Sequence, residues 1–201
     1  MVRKKTSFIE EVEIIEGEGT DELERAYDKI QEWFFAFPEE EFSLNDLAAN
    51  LRIAKTSANL VISQLVKDGF LSVSKLGNLW RIKANPEHQW FTTRKIPFNL
   101  RMVYESGIIA WIEKEIPSAR TVILFGSYRK GDDINTSDLD IAIEIPGENE
   151  PITSKACIKE LGYRKNINVN FHLFSKKKVD INLFANIANG IVLKGFLEVK
   201  L

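Results

Sequence analysis

The sequence predicts an α/β (α+β) protein in which a mainly helical N-terminal part precedes a domain built on a mixed β-sheet. Apolar residues recur at helical spacing between residues 20 and 67. Two alternating segments, 70–74 and 79–83, follow directly and predict a β-hairpin. Three further strand-like segments lie between helical stretches in the second half of the chain: 121–125, 138–143 and 166–174.

Length and composition are those of an ordinary globular protein with room for two small domains. The 201 residues are 44% hydrophobic and 28% charged, within the usual range for globular chains. The formal net charge is only −2. Any binding to nucleic acid must therefore come from a local patch of basic residues.

Cysteine content and hydropathy predict the compartment. Cys157 is the only cysteine, so no disulfide can form within the chain, as expected in a reducing cytosol. No apolar run approaches the roughly 18 residues that span a membrane. Glutamates follow the basic start of the chain, where a secretory signal would need an apolar core. We therefore expect a cytoplasmic protein with no membrane partner.

The first half of the chain divides into an N-terminal arm, residues 1–19, and a predicted domain, residues 20–85. Glycines end the arm, and its residues indicate no particular role. The domain begins with a helix that opens at Thr20 and ends at Pro38.

Two more helices and the hairpin complete this first domain. Ser43 and Asp46 have the spacing of a helix start, and a third helix is predicted over residues 55–67. Gly69 ends that helix, and the two alternating segments then pair through a turn at 76–78. This order of helices, turn and hairpin resembles a winged helix-turn-helix domain.

That resemblance implies contact with DNA through the third helix and the hairpin. Six residues there are candidate DNA-binding residues: Lys55, Thr56, Ser57, Asn59, Lys75 and Arg81. Acidic residues at 39–41 argue against DNA contact, as does the scarcity of arginine, which makes the commonest specific contact with guanine. Winged helices also bind proteins, so a structural or partner-binding role stays open.

Residues 86–96 are predicted to be a linker, and residues 97–201 form the second predicted domain. A helix opening at Pro97 is expected to place Trp111 in the core, against the sheet. A short helix is predicted over residues 152–161, carrying Ile152, Ala156 and Leu161.

The residues after the first strand of this second domain carry the chemistry. The strand ends at Gly126-Ser127, and ten residues separate Ser127 from Asp138. Asp138 and Asp140 lie two apart on the next strand, so their carboxylates point to the same face. Such a pair can hold divalent cations, while the N–H groups of a glycine turn and the Ser127 hydroxyl can hold phosphates.

Basic side chains follow the same turn. Arg129 and Lys130 come directly before Gly131, which would let the chain swing away from the site. Positive charge there would stabilise phosphate oxygens, since phosphoryl-type transfer depends mostly on positioning and charge neutralisation. The candidate nucleotide phosphate-binding residues are thus Gly126, Ser127, Arg129 and Lys130.

The pattern of Gly-Ser, ten residues and Asp-x-Asp resembles the signature of the nucleotidyltransferase superfamily typified by polymerase beta. It is most similar to the minimal nucleotidyltransferase branch of archaea and bacteria, over residues 97–195. The resemblance implies that the Gly-Ser pair binds nucleotide phosphates and that Asp138 and Asp140 bind two Mg²⁺ ions. The two-part arrangement, with a winged helix in front, is similar to archaeal predicted nucleotidyltransferases.

The sequence departs from this family at the third metal ligand. The resemblance implies a carboxylate on a neighbouring strand, but the segment 166–174 contains no aspartate or glutamate. Asn170 is the first candidate for that position and His172 the next. An amide oxygen can ligate Mg²⁺ but cannot act as a base, and these polar side chains could instead only satisfy polar neighbours.

The leading hypothesis is Mg²⁺-dependent transfer of a nucleoside monophosphate from an NTP, with ATP the first choice, to an unidentified acceptor. The alternative is a nucleotide-sensing, DNA-binding transcriptional regulator with a degenerate transferase site, as the missing carboxylate suggests. The family resemblance also implies a third role, that of an antitoxin-like partner of a helical toxin.

Overall fold

The computed structural model of the protein describes residues 18–76 and 79–199. Almost all of the predicted N-terminal arm, residues 1–19, therefore lies outside the described residues. No helix in the described ranges has the length and apolar character needed to cross a membrane.

The N-terminal part contains the predicted helices and hairpin. Its elements are α1 (Glu18–Ala36), β1 (Glu41–Phe42), α2 (Leu44–Leu51), α3 (Lys55–Lys67), β2 (Leu71–Leu76) and β3 (Leu79–Ala84). The three strands form an antiparallel sheet in the order β1-β3-β2. The short strand β1 was not predicted, because its two residues are too few to show an alternating pattern in the sequence.

Local signals explain why α2 and α3 form separate helices. The Asp46 N–H donates to the Ser43 hydroxyl at 3.1 Å, and the Asp46 carboxylate caps Ser43 in return. At the other end, Arg52 adopts the left-handed conformation, with φ of 52°, and closes α2. The chain then turns within two residues into α3, whose apolar stripe packs on α1 and α2.

The segment predicted to be a linker, residues 86–96, is partly helical and packed against the N-terminal core. It contains α4 (Trp90–Thr93) and the start of α5 (Lys95–Glu105). The Phe91 ring lies edge-on to Phe35 of α1, 5.6 Å between ring centroids, and Lys95 is fully buried. Because its aromatic side chains complete the N-terminal core, this range connects the two parts as packed structure and not as an open linker.

The second part is built on a five-stranded sheet. Its elements are α6 (Ile108–Glu115), β4 (Thr121–Phe125), α7 (Gly126–Lys130), β5 (Leu139–Glu144), β6 (Ile152–Leu161), β7 (Arg164–Phe174), α8 (Ile181–Ala188) and β8 (Ile191–Gly195). The strand order is β6-β7-β5-β4-β8. Strands β5 and β7 run parallel and the other neighbours antiparallel, so the predicted mixed sheet is confirmed.

Two predictions in this part are wrong. Residues 152–161 form the edge strand β6, not a helix, and pair along their length with β7. Trp111 is not core: 46% of its surface is exposed, although its ring stacks on Phe171 with centroids 5.2 Å apart. The predicted long helix is divided at Gly107, whose φ of 75° separates α5 from α6 and turns Trp111 towards the sheet margin.

The sheet presents two different faces. Helices α5 and α6 cover one face, where Leu124, Ile141 and Val169 are buried. Helix α8 covers only part of the other, through Ile187 packed near Ile123. Side chains alternate along each strand, so Asp140 and Asn170 project from this second, partly open face.

Candidate active site

The turn from β4 into α7 brings the backbone against an acidic side chain. Gly126 has φ of 73°, a conformation that favours glycine. A Cβ atom at this position would lie 2.4 Å from Oδ2 of Asp140. The chain can therefore pass this close to the carboxylate only because residue 126 has no side chain.

Asp138 and Asp140, together called the acid pair, share one neighbour on the adjacent strand. Asp140 is directly opposite Asn170 in the parallel β5–β7 register. The Asn170 amide Nδ2 donates to Oδ1 of Asp140 at 2.9 Å and to Oδ2 of Asp138 at 3.3 Å. The strand that lacks a carboxylate thus places an amide where the third ligand was expected.

The other end of that amide is left without a partner. Asn170 Oδ1 is buried and accepts no hydrogen bond from the part of the chain that the structure describes. Buried polar atoms are nearly always satisfied in proteins, so this unpartnered acceptor is an unusual feature of the site.

His172 borders the acid pair on the same strand face. Its Nε2 lies 3.8 Å from Oδ1 of Asp140, and the Phe125 ring packs against the imidazole with centroids 5.1 Å apart. On the edge strand, the Thr153 hydroxyl is 3.5 Å from Nδ1 of His172. His172 therefore lies beside the acid pair, as the sequence predicted, but as a flanking group.

The surroundings of Asp140 favour its charged form. Partial burial raises the pKa of this carboxyl, while His172 and the Asn170 amide lower it, and the net pKa lies below the ordinary value. Among residues 18–76 and 79–199, no lysine or arginine forms an ion pair with Asp138 or Asp140. Neither carboxylate of the acid pair thus has a permanent positive partner within the described structure.

The predicted phosphate-binding residues are not all placed alike. Ser127 is half-buried in the first turn of α7, next to Gly126. Arg129 is also half-buried, whereas Lys130 is exposed. Lys130 borders a cleft of about 290 Å³ that is shared with Pro38 of the N-terminal part. Gly126 thus lies against Asp140 of the acid pair, whereas Lys130 lies on the side of the turn that faces the N-terminal part.

This geometry agrees with an independent comparison of the sequence with known families. Residues 109–189 match the family model of the nucleotidyltransferase domain. The match supports the nucleotidyltransferase superfamily for this part of the chain. The matched range includes the Gly126 turn, the acid pair and Asn170. A search of curated proteins found no match to the chain.

The range that matches the family model offers few metal ligands among the residues that the structure describes. Within the described ranges, no three side chains from histidine, cysteine, aspartate and glutamate are arranged to hold a metal ion. The available oxygen donors are the two carboxylates and the Asn170 amide. Mg²⁺ commonly binds through one or two carboxylates plus substrate phosphates, so this smaller set still fits it.

The candidate DNA-binding residues precede the range that matches the nucleotidyltransferase domain model. Lys55, Thr56 and Asn59 are exposed on α3, and Ser57 is half-buried there. Arg81 on β3 pairs with Glu41 at 3.3 Å, which reduces its availability. By its backbone position, Lys75 belongs to β2 of the hairpin.

Sequence reasoning missed a group of buried polar residues behind the turn. Lys95, Asn99, Asp133 and Arg164 are almost completely buried, and they surround Tyr128 of α7. Lys95 lies in the predicted linker and Asn99 further along α5, while Asp133 lies in a loop and Arg164 at the start of β7. No periodic pattern connects positions so far apart in the chain. The closest signal was the Asp132-Asp133 pair inside the ten-residue spacing.

Proposed function

We propose that the protein is a Mg²⁺-dependent nucleotidyltransferase that moves a nucleoside monophosphate from an NTP, with ATP the first choice, to an acceptor, releasing pyrophosphate. One observation carries this proposal: Gly126 approaches Asp140 so closely that a Cβ would lie 2.4 Å from its carboxylate oxygen. A phosphate held by the turn would therefore lie beside the acid pair, as phosphoryl-type transfer requires.

Asp138, Asp140 and Asn170 would hold the metal, with two ions as the family resemblance implies. The unpartnered Oδ1 of Asn170 supports this assignment, because no protein hydrogen bond would be lost at Oδ1 if the amide made a half-turn. That half-turn would place Oδ1, in place of Nδ2, towards the carboxylates. The bound ions would supply charge neutralisation at the phosphate oxygens. The low pKa of Asp140 keeps it ionised for this purpose at neutral pH.

The chain's own residues would orient the NTP from the opposite side. The backbone N–H groups at the Gly126 turn and the Ser127 hydroxyl would bind triphosphate oxygens. Arg129 and Lys130 would add positive charge at the end of α7. In this arrangement the triphosphate lies between the turn and the acid pair.

The acceptor would approach over the open strands next to the acid pair. Thr153, Lys155 and Cys157 are exposed on the edge strand β6, and Lys155 is directly opposite Asn170 in the register. The missing third carboxylate removes the usual group for activating an acceptor hydroxyl. We therefore expect transfer to be slow unless the acceptor itself, or His172, takes the proton.

The test is incubation of the pure protein with labelled NTPs, Mg²⁺ and cell lysate, followed by detection of labelled product and of pyrophosphate. Wild-type protein is expected to release pyrophosphate, and Asp138→Ala to release none. Asp180→Ala is the matched control, because Asp180 is an exposed helix cap on α8. Equal release from Asp138→Ala and wild type would defeat the proposal.

A second candidate is the nucleotide-sensing DNA-binding regulator. It is supported by the order of α2, α3 and the β2–β3 hairpin, which resembles that of a winged helix, and by the Asn170 amide in place of a carboxylate beside Asp140. A fluorescence binding assay with DNA, with and without ATP, separates the two functions. DNA binding that responds to ATP without any labelled product would favour the regulator. Copurification of a small helical protein would favour the antitoxin-like role instead.

A further inference from the structure

A set of buried polar side chains, here called the polar clamp, lies directly behind the phosphate-binding turn. It consists of Lys95, Asn99, Tyr128, Asp133 and Arg164. Lys95 is 0% exposed and Asp133 2% exposed. Buried charges are costly unless they are paired and hydrogen-bonded. The partners of these side chains therefore identify the segments of the chain that the polar clamp holds together.

Helix α5 supplies one half of the clamp. Lys95 Nζ donates to the main-chain carbonyl of Asp133 and lies 3.2 Å from its Oδ1. Asn99 Nδ2 donates to the Tyr128 carbonyl at 3.0 Å and to Asp133 Oδ1 at 2.7 Å. Helix α5 thus holds the chain both within α7 and just beyond it.

Arg164, at the start of β7, supplies the other half. Its Nη1 donates to the Tyr128 hydroxyl and lies 3.8 Å from Asp133 Oδ2, while Nη2 donates to the Ser137 carbonyl at 2.6 Å. Tyr128 follows Ser127 directly, and Ser137 directly precedes Asp138. One guanidinium therefore bridges the two ends of the segment that separates the phosphate-binding turn from the acid pair.

We infer that Arg164 is a positioning residue that sets the distance between the phosphate-binding turn and the acid pair. This inference rests on the proposed nucleotidyltransferase function. The planar guanidinium suits the task, because it donates to two acceptors in a fixed geometry that an ammonium group cannot reproduce. Since Arg164 touches neither carboxylate of the acid pair, its effect passes through Tyr128 and the Ser137 carbonyl.

The clamp also extends the site into the N-terminal part. A Cβ at Gly131 would lie 2.0 Å from the Phe91 carbonyl oxygen, and Asn135 donates to Glu40 at 2.8 Å. The segment held by Arg164 is thus enclosed by the N-terminal part on its outer side. This enclosure is why the full chain is needed for the experiment.

Arg164→Ala and Arg164→Lys in the full chain test the inference against a purely structural role. Two probes are measured: Mn²⁺ alone, by electron paramagnetic resonance, and an ATP analogue with a non-cleavable α,β bond plus Mn²⁺, by calorimetry. Because Asp140 stays on β5 and Asp138 directly precedes that strand, Mn²⁺ affinity is expected to change little. Affinity for the analogue is expected to fall by about tenfold or more, since the turn and the acid pair would no longer fit one triphosphate together; tenfold is about 1.4 kcal/mol of binding free energy.

The controls separate positioning from general loosening of the fold. Arg101→Ala removes an exposed guanidinium of α5 that pairs with Glu32, and it should leave both affinities unchanged. Added guanidinium ion should restore part of the analogue affinity of Arg164→Ala. Should Arg164→Ala not fold, Arg164→Lys decides, because it keeps the charge and loses the two-point contact.

Three results would count against these ideas in distinguishable ways. Unchanged analogue affinity in both Arg164 variants overturns the inference alone. Equal weakening of Mn²⁺ and analogue binding, together with a lower melting temperature, shows a structural role and also overturns it. Failure of the wild-type protein to bind the analogue with Mn²⁺ instead removes the proposed function on which the inference depends.

Discussion

Strand β5 carries acidic side chains near its two ends, and the surroundings of these side chains differ greatly. At the far end, Glu144 is buried, accepts from the Thr121 hydroxyl at 2.9 Å and lies 3.5 Å from Lys176 Nζ. At the near end, Asp140 is 26% exposed, and its polar side-chain contacts among the described residues are with the Asn170 amide and His172. Both residues project from the same sheet face, because they are four residues apart on one strand.

This difference separates an acid whose charge is paired within the protein from acids that no lysine or arginine of the described residues pairs. Glu144 has its hydroxyl donor and its cation supplied within the protein. Asp140 has neither a lysine nor an arginine partner among the described residues, although its pKa is lowered and its charge retained. A carboxylate that stays ionised beside a backbone turn and lacks a cation is the arrangement expected of a metal and phosphate site.

The largest expected effect comes from replacing the acidic side chain at each end of β5 with the corresponding amide. Asp140→Asn should lower nucleotidyl transfer by about 10²–10³-fold, the scale seen when one charge-stabilising group is removed from an active site. Glu144→Gln should leave transfer unchanged and reduce the free energy of unfolding by about 1–3 kcal/mol, because it disrupts a buried pair. Transfer rates and urea unfolding of both variants test this contrast, and loss of transfer in Glu144→Gln would remove it.

The close approach at the turn predicts the next effect. Gly126→Ala should abolish Mg²⁺-dependent nucleotide binding, because its Cβ would occupy the space 2.4 Å from Asp140 Oδ2. Gly107→Ala is the matched control: φ is 75° there, but nothing lies within 4 Å of its Cβ. It should lose only about 1–2 kcal/mol of stability from the left-handed backbone. Nucleotide binding by Gly126→Ala at the wild-type level would contradict the proposed site.

Restoring the third carboxylate should have a smaller effect of the opposite sign. Asn170→Asp places three carboxylates together, so the metal-free protein should be less stable by about 1 kcal/mol. Its Mg²⁺ affinity should rise by about tenfold, which corresponds to about 1.4 kcal/mol of additional stabilisation at saturating Mg²⁺. Melting temperatures with and without Mg²⁺ measure both terms. A variant that responds to Mg²⁺ no more than wild type would show that residue 170 is not a ligand position.

The smallest effect concerns the other internally paired acid, Asp133. Burial lowers the pKa of its partner Lys95, and the charge of Asp133 only partly opposes this. Between that lowered pKa and 10.5, the unfolded chain holds more protons, so stability should rise with pH by at most about 1.4 kcal/mol per pH unit. Urea unfolding of wild type and Lys95→Met across this window isolates the contribution. A stability difference that stays constant with pH would show that Lys95 does not titrate there.

Periodicity in the sequence was enough to predict helices α1 to α3, the β2–β3 hairpin and strands β4, β5 and β7 of the mixed sheet. It failed at β6, where the residues from 152 to 157 are exposed on both faces and so show no alternation. Ile152 and Ala156, four residues apart, then happened to match helical spacing, although Leu161 does not. An edge strand of this kind is specified by pairing with its neighbour, which the local sequence does not show.

The sequence by itself determined which side chains share a strand face, and hence that Asp138 and Asp140 point together towards a neighbouring polar strand. Only the tertiary structure decided that Glu144 would be neutralised internally while the acid pair would not. It also brought Lys95 to Asp133, 38 residues apart, and Arg164 to Ser137, 27 residues apart. The physical reason is that alternation is a local property of the backbone, whereas the partner of a buried charge is set by how distant segments pack.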